Sequence, residues 1–157
     1  MFKRVNVAEF EKGLLFRHGR FVRLLDPGVH WIRGEATLID LRRRQTMVEA
    51  APVQTRDLVP VGILLRVSYR VTDPEAAMLQ VRRVDASLDD EAVAAVHRSV
   101  STVAMADLAA EHNRLEAMIQ DRLALEATSY GVRVEDVAIV QLRLPRALRK
   151  KFKRMEV

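Results

Sequence analysis

Residues 59–72 read VPVGILLRVSYRVT, with Val59, Val61, Ile63, Leu65, Val67, Tyr69 and Val71 at every second position. Alternation sustained over this length predicts a β-strand with one buried face. The intervening positions, Pro60, Gly62, Leu64, Arg66, Ser68, Arg70 and Thr72, are mostly polar and are expected to meet water. Ser68 reads there as an ordinary solvated hydroxyl. Directly afterwards, Asp73 followed by Pro74 predicts a helix start, with the Asp as N-cap and the Pro at the first helical position. The pattern is strand-like before this point and mostly helical after it.

Upstream, Val5-Asn6-Val7 alternates briefly, and residues 9–13 form a charged turn leading into Leu14-Leu15-Phe16-Arg17. His18-Gly19 reads as a tight reversal into a strand over residues 21–25. Asp26-Pro27-Gly28 closes that strand, because Pro presets φ and Gly permits a positive one. His30-Trp31-Ile32 restarts the sheet, and residues 36–43 and 46–50 supply further short strands. Trp31 and Tyr69 read as core or sheet-face aromatics. Short strands at this spacing, broken by Gly and Pro, predict an antiparallel meander.

Downstream, residues 74–84 are helical, and a second helix is expected to restart at Ser87, three residues before Asp90 in a weak capping box. Val93, Val96, Val100 and Val103 would form its buried stripe. Asp89, Asp90 and Glu91 then fall at a helix start, where acids complement the dipole. A further helix over residues 108–129 carries Leu115, Met118, Ile119, Leu123 and Leu125 as its apolar positions, and Gly131 stops it. Residues 132–144 return to strand, with apolar residues on both faces around 137–140, and Pro145 ends it. Beyond, Leu148, Phe152 and Met155 stand at i, i+4 and i+7 of an amphipathic helix with a basic face.

A length of 157 residues fits one domain with a real core. Cys is absent, which removes disulfides, thiolate metal sites and a Cys nucleophile. No signal peptide and no run of about 18 apolar residues is present, so a soluble or peripheral chain is expected. The net charge is +5, but Arg143, Arg146, Arg149, Lys150, Lys151, Lys153 and Arg154 cluster at the end; the rest holds 19 basic against 21 acidic residues. The basicity belongs to the tail.

Enzymatic chemistry finds little support. His18, His30, His97 and His112 are scattered without metal-ligand spacing, and neither G-x-S-x-G nor a phosphate-cradling Gly-rich loop occurs. No catalytic residue, metal or cofactor is therefore expected. Arg42, Arg43 and Arg44 read as a solvated strand end.

In order and spacing, the motifs resemble those of the stomatin, prohibitin and flotillin (SPFH, Band 7) domain family, most of all its stomatin-like members. Residues 11–20, EKGLLFRHGR, are similar to the family's E-R-G-x-x-F-R-x-G-R opening, and Asp26-Pro27-Gly28-Val29-His30 to its G-P-G-L-H turn. Val53-Gln54-Thr55-Arg56-Asp57 is similar to V-x-T-K-D, and residues 69–74 to Y-R-V-x-D-P. Residues 130–145 are similar to the strand that ends in Leu-Pro. None of these motifs carries catalysis; they are turns and strand faces. The resemblance implies an α+β fold: a curved, mainly antiparallel sheet with helices on one side, over residues 1–145, and a C-terminal basic amphipathic helix beginning over residues 146–157. Family members commonly begin with an apolar membrane-inserting segment and continue past the Leu-Pro into a long coiled coil. Here the motifs start within the first dozen residues, and about three turns follow the Leu-Pro.

The resemblance further implies a non-enzymatic membrane-associated scaffold that self-assembles and regulates membrane proteins, such as a membrane protease of the NfeD type or a channel. Its place would be the cytoplasmic face of a membrane, peripherally, or the soluble cytoplasm if no anchor accompanies it. Arg146, Arg149, Lys150, Lys151, Lys153 and Arg154 are the candidates for contact with an anionic lipid surface, each charge contributing about 1 kcal/mol. Leu148, Phe152 and Met155 are the candidates for oligomerisation as the opening of a coiled coil. A soluble protein-binding adaptor is the alternative. Nucleic acid ranks last as partner, since the tail interleaves no stacking aromatics beyond Phe152.

Overall fold

The computed structural model describes residues 1–145. The expected tail helix, and with it every lipid and oligomerisation candidate from Arg146 to Met155, lies outside the described residues. The chain lays down β1 (Lys3–Val7), β2 (Glu11–Arg17), β3 (Arg20–Leu25), β4 (Gly28–Ile32), β5 (Glu35–Asp40), β6 (Arg44–Gln54) and β7 (Pro60–Val71). Then come α1 (Pro74–Leu79), α2 (Val84–Val100), a 3₁₀ turn (Met105–Asp107), α3 (His112–Thr128) and β8 (Val132–Arg143). The fold is α+β.

β7 is the centre of the larger lobe. Its alternation is realised: Val61, Ile63, Leu65, Val67, Tyr69 and Val71 are all buried. It pairs antiparallel with β6 on one side and β8 on the other. On the apolar face lie α2, through Leu88, Ala92, Val96 and Val100, and α3, through Leu115, Ile119, Leu123 and Ala127. The helices therefore cover one side of this sheet, as expected. Ser68, expected in solvent, is fully buried on the other side, where its short side chain stands in register between Gln45 and Asp136.

The strand pairings are antiparallel but fall into three sheets rather than one meander: β1-β4, β3-β2-β5 and β6-β7-β8. His18 (φ 51°) and Gly19 (φ 75°) are both left-handed, which gives the two-residue reversal that joins β2 to β3. The Asp26-Pro27 corner instead carries the chain off that sheet, and β4 pairs with β1. Behind this ribbon, Val7, Leu15, Leu25 and Ile32 form a second, small core.

The two lobes are joined through residues 39–44. Leu41 donates its N–H to the Phe10 carbonyl at 2.8 Å, and Ile39 and Leu41 pack against the large core. Arg42 stacks 3.8 Å over the Phe10 ring and is ion-paired to Asp40 at 2.8 Å. Arg44 donates to the Asp40 carbonyl at 2.6 Å, and Arg43 and Arg70 converge on Glu135 at 3.5 and 2.9 Å. Arg42 and Arg43 are exposed at the end of a strand, as expected, and the run also makes specific contacts to Asp40, Phe10 and Glu135.

The helices begin and end close to the expected places, with corrections: α1 stops at Leu79 rather than at 84, and α3 starts at His112 rather than at 108, after the 3₁₀ turn. Asp73 caps α1 by accepting from the Ala76 N–H at 3.2 Å, and Pro74 opens it. α2 starts at Val84, before the expected Ser87, because its N-cap Arg83 makes no side-chain cap bond and so carries no capping signature. Asp89, Asp90 and Glu91 consequently sit inside the helix, and Asp89 accepts from Thr46 Oγ1 at 3.1 Å. In α3, Leu123 is buried while Leu125 is 77% exposed, since two residues turn the helix by about 200°. The middle of β8 is also open on one side, with Val140 half exposed.

The Asp40 clamp makes one stability prediction. Hydrogen bonds from the Arg42 guanidinium and backbone N–H lower its carboxyl from 3.8 to about 2. The folded form thus binds that proton more weakly than the unfolded one, so the contribution is present above about pH 4 and is lost as pH falls through about 2. An Asp40→Asn variant should lose less stability than the parent between about pH 4 and 2, read by acid unfolding in urea. Equal losses would mean that the clamp does not contribute.

Candidate functional site

Two surfaces stand out, one at each end of the described chain. At the C-terminal end, β8 runs out through Arg143 and Leu144 to Pro145 beside the start of β7. Gly62 lies between the two neighbouring strands, where a Cβ would be in ordinary contact with Ala51 and Arg143 at 3.4 and 3.5 Å. Over it, Arg143 of β8 reaches across β7 to Glu49 of β6 at 3.0 Å. Next to it an apolar cleft of about 370 Å³ is lined by Ala51, Pro52, Pro60, Val61, Leu144 and Pro145. Pro145, the last of the described residues, is part of this lining.

At the N-terminal end is a surface that the sequence reading missed. In the β1–β4 ribbon, Arg4 stands opposite Trp31 and Asn6 opposite Val29, so all four share one face. The other face, with Val7 and Ile32, is buried in the small core. Trp31 is 67% exposed, Phe2 60% and Val29 52%. Arg33 lies 4.7 Å over the Phe2 ring. The available signal was that Val29 and Trp31 alternate with Ile32, so both sides of the strand carry large apolar residues while only one can face the core.

The turn after β6 is tied to the helical layer. Asp57 accepts from Thr55 Oγ1 and, at 3.0 Å, from the Met105 N–H; these bonds lower its carboxyl below the usual range. Thr55 Oγ1 in turn accepts from the Val59 N–H at 3.0 Å. This motif therefore fixes a turn and ties it to the segment after α2. Among the described residues, no group of three or more His, Asp or Glu side chains is placed to hold a metal ion. His112 is instead bound to Glu116 at 2.8 Å. The described helices also include none long and apolar enough to cross a membrane.

The architecture is thus an α+β domain of two joined lobes, with an apolar cleft at one end and an exposed aromatic face at the other. Its sequence matches the profile of the SPFH domain / Band 7 family over residues 5–157. The chain belongs to that family. It is 32% identical to a stomatin homolog of Pyrococcus horikoshii, over 94% of this chain and 57% of that protein. A stomatin homolog of Pyrococcus abyssi is 31% identical, over 92% of this chain and 55% of the relative. Protein HflK of Vibrio cholerae is 25% identical, over 93% of this chain and 38% of its own length. The chain spans about half the length of the stomatin homologs it matches.

Proposed function

We propose that this chain is the folded unit of a non-enzymatic, membrane-associated scaffold that self-assembles and organises membrane proteins. The observation that carries this reading is family membership over nearly the whole chain, alongside relatives named as stomatin homologs and HflK. Residues 1–145 form the domain, and residues 146–157 begin a basic amphipathic helix. Arg146, Arg149, Lys150, Lys151, Lys153 and Arg154 face an anionic leaflet, peripherally and on the cytoplasmic side. Leu148, Phe152 and Met155 join copies, so that many weak membrane contacts sum to stable binding. The regulated partner is a membrane protease, of the NfeD type, or a channel.

Reversing the charge of Arg149, Lys150, Lys151 and Lys153 to Glu tests the tail directly. Each charge near an anionic surface contributes about 1 kcal/mol, so affinity for anionic vesicles should fall by at least two orders of magnitude. The circular dichroism of the folded domain should not change. Unchanged binding would remove the tail from the mechanism. Loss of all membrane dependence in the parent chain, with a defined protein partner instead, would favour the soluble adaptor.

A further inference from the structure

We propose that the outward face of the β1–β4 ribbon lies flat on an anionic lipid surface, with Phe2, Val29 and Trp31 entering the headgroup boundary and Arg4 and Arg33 meeting lipid phosphates. The inference rests on the membrane-associated reading above and adds to it a second lipid contact, within the folded domain and independent of the tail.

Three observations carry it. The first is that large apolar groups stand in solvent: Trp31 and Val29 are more than half exposed on a ribbon whose opposite face is already occupied by Val7 and Ile32, and Phe2, just before β1, is 60% exposed. Aromatic rings with a polar edge are suited to the interface between hydrocarbon and water, and an indole N–H finds partners there. The second is charge. Arg4 stands directly opposite Trp31, and Arg33 stacks on Phe2, while none of the residues on the face is acidic. An arginine can lay its stem along the apolar surface and keep its guanidinium among phosphates, which it binds through two N–H groups. The third observation separates lipid from a second copy of this chain. A two-fold contact through this face would bring Arg4 and Arg33 against the same arginines of the partner, with no carboxylate on the face to answer them. A bilayer carrying anionic headgroups is the complementary surface.

Trp31 is the only tryptophan of the chain, so its fluorescence reports on this face alone. The full chain is titrated with vesicles of phosphatidylcholine, and with vesicles of phosphatidylcholine and phosphatidylserine. Emission should move to shorter wavelength with the anionic vesicles, and acyl-chain-brominated lipid should quench it. Arg4→Ser and Arg33→Ser should each weaken binding about fivefold. Both positions are exposed, and the wild-type spectrum does not depend on either variant folding.

Vesicles that sediment the chain while Trp31 emission stays that of a water-exposed indole would overturn this proposal and leave the membrane reading standing on the tail. Failure to sediment with any vesicle would overturn both. Short-wavelength emission without lipid, growing with protein concentration, would assign the face to a second copy and overturn the lipid contact.

Discussion

Replacing Gly131 by alanine should destabilise the domain by about 3 kcal/mol, a large share of what holds a domain of this size together. Gly131 follows α3 with φ +73°, a conformation that costs an L-residue about 1 kcal/mol or more. A Cβ would also stand 2.2 Å from the Asp73 carbonyl oxygen and 2.8 Å from its Cβ. The chain cannot simply step aside, because the Gly131 carbonyl accepts from the Thr72 N–H at 2.8 Å and the Asp73 N–H at 3.1 Å. Relieving the clash therefore breaks bonds that join the end of β7, the cap of α1 and the start of β8, each contributing about 1 kcal/mol. Urea unfolding is the measurement, with the midpoint lowered and the slope retained. A change of less than about 1 kcal/mol would mean that the junction relaxes freely, contrary to its hydrogen-bond geometry.

Leu15→Ala should cost about as much, ~3 kcal/mol, but with its effect confined to the smaller lobe. Leu15 is fully buried in a core with only three other buried members, Val7, Leu25 and Ile32. Such a core has little surrounding material to collapse into the space left behind. Amide exchange should accelerate across β1 to β5, while β7 and α3 stay protected by the larger core. Uniform acceleration over the whole domain would show that both lobes open as one unit. Because the ribbon bearing Trp31 is supported by this small core, the variant should also lose whatever lipid contact that face makes.

What could be read from the sequence was local. The alternation of β7, the Asp73-Pro74 cap, the His18-Gly19 reversal and the Gly131 stop each depend on a few neighbouring residues, and each stands in the structure. The order of strand pairing was not legible, because β1 to β5 are five to seven residues long and each could satisfy its backbone against several neighbours. Their distribution over three sheets is decided by the corner at Asp26-Pro27 and by which side of the β1–β4 ribbon the small core covers. At Arg42–Arg44 the composition was right about exposure but silent about contacts. The consecutive arginines are largely solvated, yet they also bind Asp40 and Glu135. Leu125 was misassigned because an apolar residue was counted without its angle on the helix, and Ser68 because a polar residue was assumed to face water.

The candidate site divides along similar lines. The tail was conspicuous as composition, seven basic residues without an acid between Arg143 and Arg154. The exposed face was not, because Arg4 and Trp31 are distant in sequence and stand opposite each other only when β1 and β4 pair. A surface assembled from two strands leaves no motif in either one.

The central claim, a self-assembling domain that works at a membrane, is tested most directly by co-sedimentation of the whole chain with neutral and anionic vesicles at low and high salt, read beside its mass by light scattering. The account predicts an oligomer that binds anionic vesicles and is released as salt screens the basic tail. A monomer that stays in the supernatant with every vesicle and at every salt concentration would contradict it.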